Sequence, residues 1–219
     1  MNTEAKLFII VEGINDIVFI KDFLEIHFNY LSTEKLKSDT ILLEVNDIVI
    51  FNTKGKDINE TKKQNLVQEI NKRNPENIII IFDADDNYKD AKDNIKEICK
   101  YDESLKNSKY FLFPDDENIG ELEHFLEKIA IKKDIFECWE QFEICINTKG
   151  NNFTIPAKKS KIHTYLEVLN PNTKKGKDNC KEPNRDYTDK TKLNLNDKNI
   201  FVVNKLFSFL NQFIKTNNE

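Results

Sequence analysis

An α/β fold is predicted for this chain: a mainly parallel sheet flanked by helices on both faces, followed by a C-terminal helical extension. Two runs and one rhythm point to it. Leu7-Phe8-Ile9-Ile10-Val11 and Ile78-Ile79-Ile80-Ile81-Phe82 are unbroken apolar runs, the pattern of strands buried on both faces. Segments of helical spacing alternate with such runs as far as Phe113. That alternation gives parallel strands joined by right-handed crossovers.

Composition bounds the rest. With 219 residues, 39% apolar and 32% charged, the chain is a soluble globular protein with ample material for a core. Residues 1–131 form the expected α/β domain and 132–219 the expected helical extension packed on it. No apolar run approaches the roughly 18 residues that span a bilayer, and the chain opens directly on a strand. A cytoplasmic protein with no membrane partner is expected. The cysteines Cys99, Cys138, Cys145 and Cys180 form no C-x-x-C pair, and the three that fall inside or near predicted helices are expected to be packing residues. A formal charge of −5 argues against coating nucleic acid through bulk electrostatics, without excluding an enzyme that approaches it through metal ions.

The elements follow in order. After the first strand, Ile17, Phe19-Ile20, Phe23-Leu24 and Phe28 predict a helix from about Asn15 to Phe28, capped by Asn15 or Asp16. Leu31 to Asp39 is polar loop, and Ile41–Asn46 with Ile48–Asn52 predict a bent strand or a hairpin. Thr53-Lys54-Gly55-Lys56 is a turn at the same sheet end as Glu12. A second helix spans about Ile58 to Arg73 and stops at Pro75. The second apolar run comes next, then a helix from about Tyr88 to Tyr101 and a short strand, Tyr110–Phe113, closed by Pro114. Leu122, Phe125-Leu126 and Ile129 predict another helix. Ile135-Phe136, Trp139, Phe142 and Ile146 predict an amphipathic helix over Asp134–Asn147, with Trp139 as a packing anchor. Ala157–Leu169 is a helix with Ile162, Tyr165-Leu166 and Leu169 inward and its basic residues outward. Residues 170–196, rich in Pro, Gly, Asn and Lys, read as a long irregular loop, with Arg185-Asp186-Tyr187 able to order it locally. Ile200 to Ile214 closes the chain as a helix whose broad apolar face packs back on the core.

Acidic residues follow the apolar runs. In open α/β sheets the chemistry gathers beyond the carboxyl ends of the strands, where Asp83 and Asp85 stand. In extended backbone, residues two apart point to one side, so both carboxylates can face one point. Two anionic oxygen ligands suit Mg2+ or Mn2+ better than zinc. The first strand delivers Glu12-Gly13, with Asp16 following, and Gly13 is expected to allow a tight turn there. Phe113-Pro114 leads through Gly120-x-x-Glu123 into a helix. Each acid also has an ordinary reading, solvating a strand end or complementing a helix N-terminus.

Glu-Gly after an N-terminal strand, Asp-x-Asp after a later one, and the Phe-Pro to Gly-x-x-Glu segment resemble the motifs of Toprim proteins. The closest resemblance is to the small stand-alone Toprim-like proteins related to the overcoming-lysogenization-defect nucleases. It covers roughly Leu7 to Ile131 and implies a Toprim/Rossmann-like sheet. It also implies a metal-dependent nuclease or phosphotransfer enzyme acting on DNA or RNA phosphodiesters. In such a protein Glu12, Asp83 and Asp85 are catalytic and, with Glu123, hold the Mg2+ or Mn2+ ions. Gly13 and Gly120 are structural turns, and Lys54, Lys56, Lys158 and Lys159 are candidate contacts to nucleic acid. For the clusters Lys158-Lys159-Lys161 and Lys174-Lys175-Lys177, ordinary solvated lysines are the competing reading. Asp86-Asn87 departs from the glycine-containing turn of many Toprim enzymes. Two alternatives stay open, a non-catalytic metal-binding Toprim module that recruits a partner and a DxD-type phosphatase. Against the latter, Asp-x-Asp ends a later strand here, not the first. A homodimer sharing an aromatic face of the final helices fits the composition. ATP hydrolysis would need a separate partner, because the chain has no G-x-x-x-x-G-K-[ST].

Overall fold

The structure, a computed structural model, describes residues 5–32, 34–150 and 153–214. Its centre is a five-stranded sheet of order β2-β3-β1-β4-β5, formed by β1 (Leu7–Val11), β2 (Leu42–Val45), β3 (Ile48–Asn52), β4 (Asn77–Asp83) and β5 (Lys109–Phe113). β1 lies parallel to both β3 and β4, and β4 is parallel to β5. Only β2 is antiparallel, the outer arm of the expected hairpin, and its turn places Asn46 in the left-handed region. The sheet is therefore mixed but mostly parallel, with helices on both faces.

Both faces of β1 and β4 are buried, which is why these strands are continuous apolar runs. Leu7, Ile9, Val11, Ile79 and Ile81 face the larger apolar cluster, while Phe8, Ile10, Ile80 and Phe82 face the smaller one. Each such side chain contributes on the order of 2 kcal/mol by leaving water. The central pair is thus firmly held, and it ends at Glu12 and Asp83.

Helices α2 (Glu60–Arg73) and α3 (Tyr88–Cys99) cover the smaller cluster through Leu66, Ile70, Ile95 and Ile98. The other face is covered by α1 (Ile14–Phe28) and α4 (Leu122–Ile129), together with α5 (Asp134–Thr148), α6 (Lys158–Leu169), the short α7 (Lys174–Asp178) and α8 (Phe201–Leu210). Asn59 caps α2 and Asn87 caps α3, each accepting backbone N–H groups of the first turn.

Several expectations need correction. The cap of α1 is Gly13, not Asn15 or Asp16; Asp16 instead accepts the Gly13 N–H from the first turn. Gly13 itself is extended, at φ −144°, so its turn does not draw on glycine's special freedom. Residues 170–196 are not a free loop. They bury Cys180, Arg185, Tyr187, Leu193 and Leu195, and Tyr187 N–H donates to Asp22 Oδ2 at 2.8 Å. The basic residues of α6 do not all point outward, since Lys161 lies over the Phe136 ring and pairs with Glu127 at 3.1 Å. On α5 only Phe136 is buried. Trp139 is partly exposed beside Phe142, and Cys138 and Cys145 are exposed, so they are not packing residues. On α8 the inward positions are Val202, Val203, Leu206 and Leu210, leaving Phe201 exposed at its start.

Candidate functional site

The carboxyl ends of β1, β3 and β4 and the N-termini of α1 and α4 meet at one edge of the sheet. Glu12 follows Val11 directly, and its Oε1 accepts the backbone N–H of Asp83 at 3.0 Å. Asp83, the last residue of β4, accepts the Leu122 N–H on Oδ1 at 2.8 Å and so holds the first turn of α4. This joins two of the three motifs through a single carboxylate and sets Glu123 beside them. The third wall is the turn after β3, where Thr53 N–H donates to Val11 O at 2.9 Å and Gly55 N–H to Glu12 O at 2.7 Å.

Glu12 and Asp83 line three adjoining cavities. One, of about 440 Å³, opens toward Lys56, Asp85, Asp86 and the start of α3. Another, of about 420 Å³, opens toward Asp16, Lys54, Glu123 and Lys159. A wider one of about 600 Å³ spans the mouth, with Lys54, Lys56, Lys62 and Lys159 among its lining residues. An acidic floor under a rim of lysines results.

Asp85 does not sit as extended backbone would place it. The strand ends at Asp83, and Asp85 takes φ +51° while exchanging two backbone hydrogen bonds with Gly120, at 2.8 and 2.7 Å. Its carboxylate pairs with Lys56 at 2.6 Å, on the α3 side, whereas Glu123 lines the cavity on the α1 side. Asp83 and Asp85 therefore line the same cavities, but Asp85 reaches them from a left-handed turn and is held by Lys56, not by extended strand geometry. Gly120 has a clear structural reason. Its φ is +143°, and a Cβ there would stand 2.8 Å from His124 Nδ1 and 3.1 Å from Pro114 Cδ.

Burial dominates the electrostatics. It raises Glu12 from its ordinary 4.5 to about 7, against the relief given by the Asp83 N–H and with a further push from Asp85. Burial also drives Asp83 well above the usual carboxylate range, helped by the charges of Asp16 and Glu12. Asp16 rises for the same reason, with Glu12 as its main charged neighbour. Glu123, only 1% exposed, is raised by burial, and its Oε1 forms no hydrogen bond among the described residues. Such a buried, unpartnered carboxylate oxygen calls for a cation or a donor.

The lysines are largely committed. Lys158 pairs with Glu121 at 3.2 Å and reaches Asp86 at 3.8 Å, and Lys56 holds Asp85. Lys54, in the left-handed region, and Lys159 line the cavities from opposite sides.

Two residues were not foreseen as part of the site. Asp16 lies in the first turn of α1, and the spacing Glu-x-x-x-Asp after a strand was the available signal. Arg185, one of the chain's two arginines, lies 7% exposed behind Glu123; its charge offsets part of that carboxylate's burial. Nε of Arg185 donates to Cys180 O at 3.0 Å, but Nη1, 3.4 Å from Glu182, forms no hydrogen bond among the described residues.

The donor chemistry fits a hard divalent cation, because the floor offers carboxylate oxygens, one of them orphaned. The side chains are not drawn into a ready cluster, however. Among the described residues no three His, Cys, Asp or Glu side chains stand close enough to hold a metal ion. Among the same residues no helix is long and apolar enough to cross a membrane.

A family described as a protein of unknown function (DUF3226) matches residues 6–215 of the chain. No curated protein and no solved structure matches it.

Proposed function

The chain belongs to this family of proteins of unknown function, and on that premise we propose that it is a Mg2+- or Mn2+-dependent phosphodiester hydrolase of Toprim type acting on nucleic acid. The observation that carries the reading is the meeting of Glu12, Asp83 and the orphaned, buried Glu123 at the carboxyl edge of the parallel strands. Glu12, Asp83 and Glu123 would hold the ion from the floor, with Asp85 approaching from the α3 side once Lys56 lets go. When bound, the ion supplies Lewis-acid stabilisation of the charge that develops on phosphodiester oxygens.

The chain's own residues do the remainder. Lys54, Lys56 and Lys159 rim the mouth and attract the phosphate backbone, whose charge the protein's net −5 would otherwise repel. Glu12, one oxygen of which is fixed by Asp83 N–H, serves either as a ligand of the ion or as the group that takes or returns a proton; a bound cation would reverse the rise that burial gives it. Asp83 anchors α4, which keeps Glu123 against the floor. Asp16 and Glu123 are largely shielded from water at the back of the α1-side cavity.

A second reading, a non-catalytic metal-binding Toprim-like module that recruits a partner in a nucleic-acid or defence complex, is favoured by one observation. The Asp85 carboxylate, one of the groups the enzyme reading needs, is occupied by Lys56 at 2.6 Å. The two readings separate by metal titration of wild type and Asp83→Ala, followed by incubation with single- and double-stranded DNA and RNA. Metal binding that depends on Asp83, with cleavage of any of these polymers, supports the enzyme. Metal binding without cleavage leaves the module, and absence of metal binding overturns both.

A further inference from the structure

The helix α5 is amphipathic in sequence, yet its apolar stripe is not spent on the core. Ile135, Trp139 and Phe142 face Thr164 and Val168 of α6 across a groove of about 430 Å³ floored by Phe136. Phe136 stacks on the buried Tyr165 at 4.8 Å and fixes the floor. Above it Phe142 is 42% exposed and Val168 61% exposed. The connection between the two helices leaves Phe153 and Ile155 exposed as well. Apolar residues of α5 recur at Ile135, Cys138-Trp139, Phe142 and Cys145-Ile146, a two-turn repeat of the kind that seats a neighbouring helix. Exposed apolar clusters of this kind mark interaction sites on otherwise polar surfaces.

Charge identifies the occupant. From Asp134 to Thr148 the helix carries Asp134, Glu137, Glu140 and Glu143 and no lysine or arginine. Glu167 adds an exposed acid from α6. The one lysine lining the groove, Lys161, is paired with Glu127. An acidic helix along one side of an apolar slot disfavours a second copy of the same helix, which would set acids against acids, and disfavours an anionic membrane surface. We infer that this groove docks a basic amphipathic helix of a partner protein, with apolar anchors one and two turns apart and lysine or arginine on its flanks. The inference does not depend on the metal-site reading, because the groove shares no lining residue with the acidic cleft.

Trp139 is the chain's only tryptophan, so its emission reports the groove. The probe is a synthetic peptide of about five helical turns, roughly 18 residues, with leucines on one stripe and lysines elsewhere. A matched peptide carries glutamate in place of lysine. The lysine peptide is expected to give a saturable blue shift and to protect Trp139 from acrylamide. Affinity should fall at least about tenfold with the glutamate peptide, and also as salt screens the rim. Val168→Asp should abolish the response without lowering the thermal midpoint, since its side chain is 61% exposed, and Phe142→Asp, which also gives up a contact with Trp139, should abolish it too. Glu137→Lys with Glu140→Lys should move the preference toward the glutamate peptide. No shift with the lysine peptide, or an equal shift with both, overturns the proposal. So does a concentration-dependent dimer that shields Trp139 without peptide, or a shift produced by phosphatidylcholine vesicles in place of the peptide.

Discussion

The backbone N–H of Asp83 donates to Glu12 Oε1 at 3.0 Å. Two residues separated by most of a βαβ unit and a hairpin are thereby locked at adjacent strand ends, and the state of Glu12 is tied to the end of β4. Replacing Asp83 tests charge separately from structure. Asp83→Asn keeps an oxygen for the Leu122 N–H, so its thermal midpoint should stay within a few degrees of wild type. The loss of one charged ligand should weaken divalent-ion binding at least about tenfold, by titration calorimetry. Asp83→Ala should lose both the binding and about 1 kcal/mol of stability, the usual worth of a cap.

Glu12 makes stability depend on pH. Its folded value of about 7 lies above its ordinary 4.5, so its contribution is fully present below pH 4.5 and is lost as pH rises through 7. The loss amounts to about 3 kcal/mol, and Asp83 and Asp16, raised by the same burial, act with the same sign. Metal-free protein should therefore lose thermal stability between pH 5 and pH 7.5, and Glu12→Gln should flatten the slope. Millimolar Mg2+ should restore the midpoint at pH 7.5 in wild type more than in Glu12→Gln. An unchanged slope in Glu12→Gln would exclude Glu12 as its source.

Arg185 and Glu123 are both buried, and each has an atom without a hydrogen bond among the described residues. Removing the guanidinium leaves the carboxylate with less compensation. Arg185→Met should cost about 3 kcal/mol in urea unfolding, while Arg185→Met in a Glu123→Gln background should cost markedly less. Additive losses would show that the two groups act independently.

Glycine is required at one of the two motif turns only. Gly120→Ala combines a left-handed backbone with a methyl 2.8 Å from His124 Nδ1, so it should destabilise by about 2 kcal/mol and disturb Asp85. At Gly13 the added methyl would meet Asp16 Oδ2 at 3.5 Å, an ordinary contact, in extended backbone. Gly13→Ala should stay within about 1 kcal/mol of wild type. Denaturant midpoints of the two variants give the comparison.

The sheet was legible because two-faced burial writes itself as unbroken apolar runs, and Leu7–Val11 and Ile78–Phe82 carry no competing pattern. Helix positions followed from spacing, with differences of a residue or two where caps such as Gly13 and Asn59 decide, although the closing helix expected to reach Ile214 ends at Leu210. The geometry round Asp85 was not legible, since its left-handed backbone depends on pairing with Gly120, far along the chain. Arg185 and Tyr187 were legible only as a local ordering point of their loop, and their burial beside the site was not, for a related reason. Their segment has few apolar residues and no period, and it is ordered by single bonds such as Tyr187 N–H to Asp22 and His27 to Leu195 O. Lys161 misled because a lysine stem packs on an aromatic ring as readily as it reaches water.

The sheet's two sides are furnished by different parts of the polypeptide. One is roofed early by α2 and α3; the other waits for Tyr187, Leu195, Val203 and Leu206 to arrive from the end. The strand-like bridge of Ala130 to Leu193, flanked by Ile131 N–H to Lys192 O at 3.0 Å and Asn194 N–H to Ile129 O at 2.8 Å, stitches that late material on. A truncation after Ile131 would strip Phe19 of Tyr187, its ring neighbour at 5.6 Å, and leave a sticky half-built body and not a free-standing catalytic unit.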